Sequence, residues 1–353
     1  MTNKFWENKK VLITGHTGFT GGWLSQILIL NKSKVFGISL KSKNKNYLFE
    51  LSNLKKKMKS YIFDINNYEK LKRTIQFIKP EIIFHLAAQP IVKEGYTSPL
   101  KTFYTNINGT INILQIARSV KSIKSLLVVT SDKCYENNNK KIFFSENFNL
   151  GGDDPYSASK SSQEIITNSY YKSFFKDKVG VSTARAGNII GGADWAKDRL
   201  VVDIIYSIFK KRPLSIRNLN SVRPWQHVLD VISGYMLLAS KMYSNPKKYS
   251  SAWNFGPNFK KNTEFLKVKS VITIFSQLLK LKIKFKSIKP KYREKKFLFL
   301  NSNKSIKLLG WKKKIDLKNS IKLTLEWYSF FYNNKKKNIQ EFTEKQIINY
   351  FKI

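Results

Sequence analysis

Through its first half this chain alternates short apolar runs with longer amphipathic ones. KKVLITG, KVFGIS, SYIFDI, EIIFHLAA, SLLVVTS and VGVSTARAGN have the length and the Val, Ile, Phe and Leu content of buried strands. Between them lie WLSQILILN, YEKLKRTIQFIK, GTINILQIARSV and SASKSSQEIITNSYYKSFF, all of helical length. Strand and helix in strict alternation make βαβ units, whose strands run parallel with helices on both faces. Right-handed crossovers then leave a doubly wound α/β sheet as the fold class.

Beyond about Asn188 the alternation stops, and short helices, loops and isolated strands are expected. The chain therefore divides into a sheet domain, residues 1–187, and a smaller α+β lobe, residues 188–353. A strand near 252–256 is placed to return to the sheet.

Composition narrows the function classes. With 42% hydrophobic and 14% aromatic residues the chain is globular rather than disordered. No run of eighteen apolar residues offers a membrane span. The opening MTNKFWENKKVLITG lacks the apolar core of a signal peptide, so a cytoplasmic protein with no membrane partner is expected. One cysteine, Cys134, allows no internal disulfide, and the three histidines show no metal-ligand spacing, so no metal site is expected. The formal charge of +41 suggests nucleic acid, but the lysines are scattered (KSKNKNY, NLKKKMKS, NNKKKN) and no DNA- or RNA-binding signature accompanies them. Abundant Lys, Asn and Ile fit an AT-rich coding background. No specific nucleic-acid partner is expected.

Chemistry gathers at strand ends, where open α/β sheets bind ligands. VLITGHTGFTGGWL sets Gly15, Gly18 and Gly21 between the first strand and the first helix. Glycines there let the backbone approach a pyrophosphate, and the helix N-terminus offers free N–H groups. The spacing is G-x-x-G-x-x-G, and its context predicts a Rossmann dinucleotide site. No acid closes the second strand (GISLKSK), so NAD and NADP both stay open, with Lys41 or Lys43 available to a 2′-phosphate. Asp64 either meets an adenine amino group or caps the helix that follows.

Two further stretches stand out. In DPYSASK, Tyr156 and Lys160 share a helix face, so the ammonium can lower the phenol pKa. In TSDKCYEN, Ser131, Asp132 and Lys133 follow directly on the strand SLLVV.

Together TGHTGFTGGWL, HLAAQP, NINGTINIL, SDKCYEN, YSASK, RAGNIIGG and RPWQHV make the chain resemble the extended short-chain dehydrogenases/reductases. Within them it is similar to the nucleotide-sugar 4,6-dehydratases, most narrowly to those acting on CDP-glucose. The match runs from about residue 9 to 235; WNFGP, NSNKS and LGW are its landmarks afterwards.

The resemblance implies an NAD cofactor, tightly bound and recycled, with NADP still open. It implies a cofactor site of Gly15, Thr17, Gly18, Phe19, Gly21, Asp64, Ile65, Ala87, Ala88, Gln89, Asn106, Tyr156 and Lys160. Tyr156 takes the 4-hydroxyl proton, Ser131 bonds the same oxygen, Asp132 protonates the departing 6-hydroxyl and Lys133 removes the C5 proton. Many relatives carry Asp-Glu where this chain has Asp-Lys, so Lys133 needs a pKa lowered by burial or by a cation such as Lys160. Asn188, Arg199 and Arg223 are the substrate candidates; a surface salt bridge is the alternative for each arginine. Trp195, Trp225, His227 and Cys134 are expected to pack rather than react. Ala193 in GGADW stands where the family usually has glycine, and Asn301 in NSNKS where it has aspartate. A homodimer or dimer of dimers, through the helices bearing NINGT and YSASK, and a place in deoxysugar synthesis for cell-surface polysaccharide complete the picture. A nucleotide-sugar 4-epimerase or reductase is the competing enzyme reading. A non-catalytic dinucleotide- or nucleic-acid-binding protein is the competing binding reading.

Overall fold

The computed structural model describes residues 3–42, 44–257, 266–289, 294–334 and 338–353. Lys43 lies outside the described residues. The central sheet has seven strands: β1 (Lys10–Thr14), β2 (Lys34–Ser39), β3 (Lys59–Ile62), β4 (Ile82–His85), β5 (Ser125–Val129), β6 (Gly180–Ala186) and β7 (Ala252–Phe255). Their order is β7-β6-β5-β4-β1-β2-β3, with every neighbouring pair parallel. Strand order reverses between β1 and β4, which opens a ligand crevice at their C-terminal ends.

Alternation along the strands splits the core in two. Val11 and Ile13 join one buried cluster and Leu12 the other, because successive side chains leave opposite faces of a strand. Helix Phe19–Leu30 and helix Val228–Ser244 cover the first face, with Trp6, Trp23 and Trp253 fully buried beneath them. Helices Tyr68–Ile78 and Gly109–Ala117 cover the other, through Leu71, Ile75, Ile113 and Leu114.

The later half of the chain departs from the short helices expected of it. Val228–Ser244 and Leu317–Asn333 each run 17 residues. Val228–Ser244 is buried on every side through Met236, and only beyond it does a face open at Leu237, Ser240, Lys241 and Ser244. It packs on β5 and β6, and β7 pairs with β6 from Ala252↔Thr183 to Phe255↔Ala186. The rest of that half is tied together by two-residue parallel pairs, Ile189–Ile190 with Gln226–His227 and Ser215–Ile216 with Lys286–Ser287. Ala193 adopts φ 61°, the left-handed region that glycine enters without strain. That conformation explains why glycine suits the position.

Candidate active site

The glycine loop forms as its sequence requires. Gly15 has φ +80°, and a Cβ there would lie 2.9 Å from the Ala87 nitrogen. At Gly21 a Cβ would sit 2.2 Å from the Gly15 carbonyl oxygen. Gly18 begins helix Phe19–Leu30, and no side chain caps that terminus. Its first-turn N–H groups are therefore left for an anion at the crevice, which is what a dinucleotide pyrophosphate needs.

Thr17 is tied to the end of β2, its hydroxyl 2.8 Å from that of Ser39 and donating to the Leu40 carbonyl at 3.0 Å. Phe19 and Ile65 are buried, and Ile65 packs where a side chain on Gly109 would stand. Gln89 is locked by Asn106, whose Oδ1 accepts from the Gln89 N–H at 2.7 Å. The Asn106 amide also donates to the Ser159 hydroxyl at 2.8 Å, joining the β4 loop to the tyrosine helix. Ala88 lines the cleft, while the Ala87 N–H donates to the Thr14 hydroxyl. Asp64 is exposed and accepts from Asn66; the helix it was offered as a cap for is capped by Asn67 instead. Past β2 there is no acid, only exposed Leu40 and Lys41.

Beyond β5 the chain turns into a single 3₁₀ turn, Asp132–Cys134, capped by the Ser131 hydroxyl accepting from the Lys133 N–H. The same hydroxyl donates to Asp132 Oδ1 at 3.0 Å. Asp132 Oδ2 is buried without a partner among the described residues. Burial raises the Asp132 pKa against the pull of Lys133 and Ser131, which favours the protonated acid. Burial and then Arg223 lower the Lys133 pKa, against Asp132, Asp154 and Glu294, which favours the free amine. Of the two causes expected, burial leads, and the cation that adds to it is Arg223 rather than Lys160. The pair tends towards a neutral acid and a neutral base.

Tyr156 and Lys160 stand on helix Pro155–Tyr170, whose N-terminus Asp154 caps through the Ser157 N–H. Here one expectation fails. Burial pushes the Tyr156 phenol up to about 12, although Ser131 pulls it down. Lys160 Nζ donates to the Val129 carbonyl at 3.2 Å and lies 6.0 Å from the phenol ring centre, so its charge is directed elsewhere. Lys160 is itself lowered to about 8 by burial, opposed by Glu164.

All five residues line one cleft of about 390 Å³ that runs from Thr20 past Ala88 to Arg223. Asn188 lines it half-buried. Arg199 pairs with Asp194 at 2.6 Å, and Arg223 is 3.8 Å from Glu294. Arg217 joins the same carboxylate at 3.0 Å; sequence reasoning missed both it and Glu294. The scarcity of arginine that marked Arg223 could have marked Arg217 too. Trp195, Trp225, His227 and Cys134 are buried, and the Cys134 thiol is pushed well up by burial.

A family model described as GDP-mannose 4,6 dehydratase matches residues 12–324. The chain belongs to this family. Within the family's reach, a CDP-glucose 4,6-dehydratase of Salmonella typhimurium is 39% identical over 332 residues, covering 92% of this chain and 91% of its own. Solved structures agree on the family fold. A dTDP-glucose 4,6-dehydratase of Bacillus anthracis in complex with NAD superposes with TM-score 0.77 at 21% identity, over 95% of this chain and 99% of that one. A UDP-glucose 4-epimerase of Thermotoga maritima with UDP-glucose gives 0.80 at 22% identity, over 92% and 98%. This member of the family keeps the doubly wound sheet, and no helix among its described residues is long and apolar enough to cross a membrane.

Proposed function

We propose that the chain is a nucleotide-sugar 4,6-dehydratase converting CDP-glucose to CDP-4-dehydro-6-deoxyglucose and water. The observation that carries this is the Asp132–Lys133 pair, an acid pushed up and a base pushed down side by side in one cleft. An epimerase has no elimination to perform and no need of such a pair, and the Salmonella relative's activity supports the same reading.

NAD, when bound, would supply a hydride acceptor for C4 and a hydride donor for C6. The uncapped terminus behind Gly18 fits its pyrophosphate, with Gly15, Gly21 and Ala88 close by. The Ser131 hydroxyl pulls the Tyr156 phenol down against burial, and with Ser131 bonded to the 4-oxygen Tyr156 takes the 4-hydroxyl proton. The 4-ketone acidifies the C5 hydrogen. Lys133 removes that proton, Asp132 protonates the 6-hydroxyl, the C6–O bond breaks and water leaves; when a hydride reaches C6, the Lys133 ammonium gives its proton back to C5. Each general acid or base step contributes about 10²–10⁴ in rate. Asn188, Arg199, Arg217 and Arg223 line the same cleft, and a guanidinium fork suits the holding of a diphosphate.

The reading carries with it a cytoplasmic enzyme supplying deoxysugar for lipopolysaccharide O-antigen. It also carries a homodimer or dimer of dimers through the exposed Leu100, Tyr104 and Ile165. The test is to incubate purified protein with CDP-glucose, without added NAD, and follow loss of one water by mass spectrometry and the alkaline ultraviolet absorbance of a 4-keto sugar. Turnover establishes reaction and retained cofactor. Activity on UDP- or dTDP-glucose alone replaces the nucleobase, and inertness on all three, with NAD supplied, removes the dehydratase reading.

A further inference from the structure

Three buried side-chain oxygens without a hydrogen-bond partner among the described residues belong to cleft-lining residues: Asp132 Oδ2, Ser221 Oγ and the Tyr235 hydroxyl. Buried polar atoms are nearly always paired, so three orphans around one hollow point to the molecule that fills it. The mechanism gives Asp132 its task. Tyr235 has none.

Tyr235 rises from helix Val228–Ser244 beneath the sheet ends, fully buried. Its ring packs edge-on against Phe255 at 5.6 Å, which fixes its direction. Besides burial, the groups that act on its phenol are Tyr156 and Asp132, the residues assigned to the 4- and 6-oxygens. Among the described residues no carboxylate or amide bonds it, so its O–H is a donor in waiting rather than a structural tie.

We propose that Tyr235 is a third contact to the reacting edge of the hexose, its O–H donating a hydrogen bond to the 6-oxygen. In the elimination Asp132 gives that oxygen its proton, the C6–O electron pair leaves with it, and the C5–H pair becomes the C5=C6 bond as Lys133 takes the proton. Tyr235 stays protonated throughout; it holds the oxygen towards Asp132 and cradles the departing water. The proposal rests on the dehydratase reading.

Tyr235→Phe removes only the O–H. A hydroxyl orphaned for good costs stability, so losing it leaves Tm unchanged or raised. The expected result is such a Tm together with a kcat for water loss reduced roughly ten-fold or more, and with C4 oxidation, read as transient absorbance of the reduced cofactor, retained. Equal activity in the variant overturns the proposal and leaves the dehydratase standing; an internal water is then the partner. A fall in Tm with oxidation and elimination reduced alike also overturns it, as a packing role. Wild-type protein that releases water from no nucleotide hexose overturns both.

Discussion

Arg223 acts on Asp132 and on Lys133 in the same sense, drawing both towards fewer protons. For the acid it opposes burial, and for the base it adds to burial. On the proposed mechanism its charge matters most at Lys133, whose amine would have to be free before the C5 proton could move. Arg223→Gln should raise the Lys133 pKa, so the ascending limb of the kcat–pH profile moves to higher pH and the rate at pH 7 falls. A limb that stays in place would separate Arg223 from the base.

Gly187 keeps the acid's surroundings open. A Cβ there would lie 2.1 Å from Pro224 Cγ and 2.9 Å from Asp132 Oδ2. Gly187→Ala should cost about 1–3 kcal/mol through overpacking. It should slow water loss more than C4 oxidation, measured by mass spectrometry beside cofactor absorbance.

Lys160 makes a prediction with an unusual sign. Its folded pKa is about 8 against an ordinary 10.5. Below pH 8 the folded chain buries a charge at a cost of about 3 kcal/mol. Between about 8 and 10.5 the unfolded chain binds more protons, so stability rises with pH across that window. Lys160→Met should therefore be inactive yet more stable than wild type at pH 7, with the difference in Tm shrinking towards pH 10.

Beneath the Ser131–Lys133 turn, Arg185 pairs with Glu164 at 2.7 Å, and Glu164 also accepts from Thr130 and Thr183. Arg185 donates to the Tyr135 hydroxyl as well, at 2.8 Å. Arg185→Met strands a buried carboxylate and should cost about 3–5 kcal/mol, read by denaturant unfolding.

What the sequence made legible was whatever depends on local spacing. The glycine loop, the six early strands and the gathering of Ser131, Asp132, Lys133, Tyr156 and Lys160 in one cleft all follow from short patterns read beside strand and helix periods. Hidden from it were relations across the chain. Glu294 stands 71 residues from Arg223, and nothing in either neighbourhood announces the other. Lys160 looked like the phenol's partner because both share a helix face; the Val129 carbonyl, 31 residues earlier, draws it away. Tyr235 lay in an apolar run that reads as core. That its hydroxyl lacks a partner is a fact of packing alone.

The pairing of Ala252–Phe255 with Gly180–Ala186 also sets an order of events during synthesis. While residues up to about 250 are still emerging from the ribosome, strand Gly180–Ala186 offers a bare row of amide and carbonyl groups to any passing strand. Its cover arrives some seventy residues late. Cells making this protein quickly would thus meet their greatest hazard of intermolecular strand pairing in that interval, and a truncation before Ala252 would make the hazard permanent.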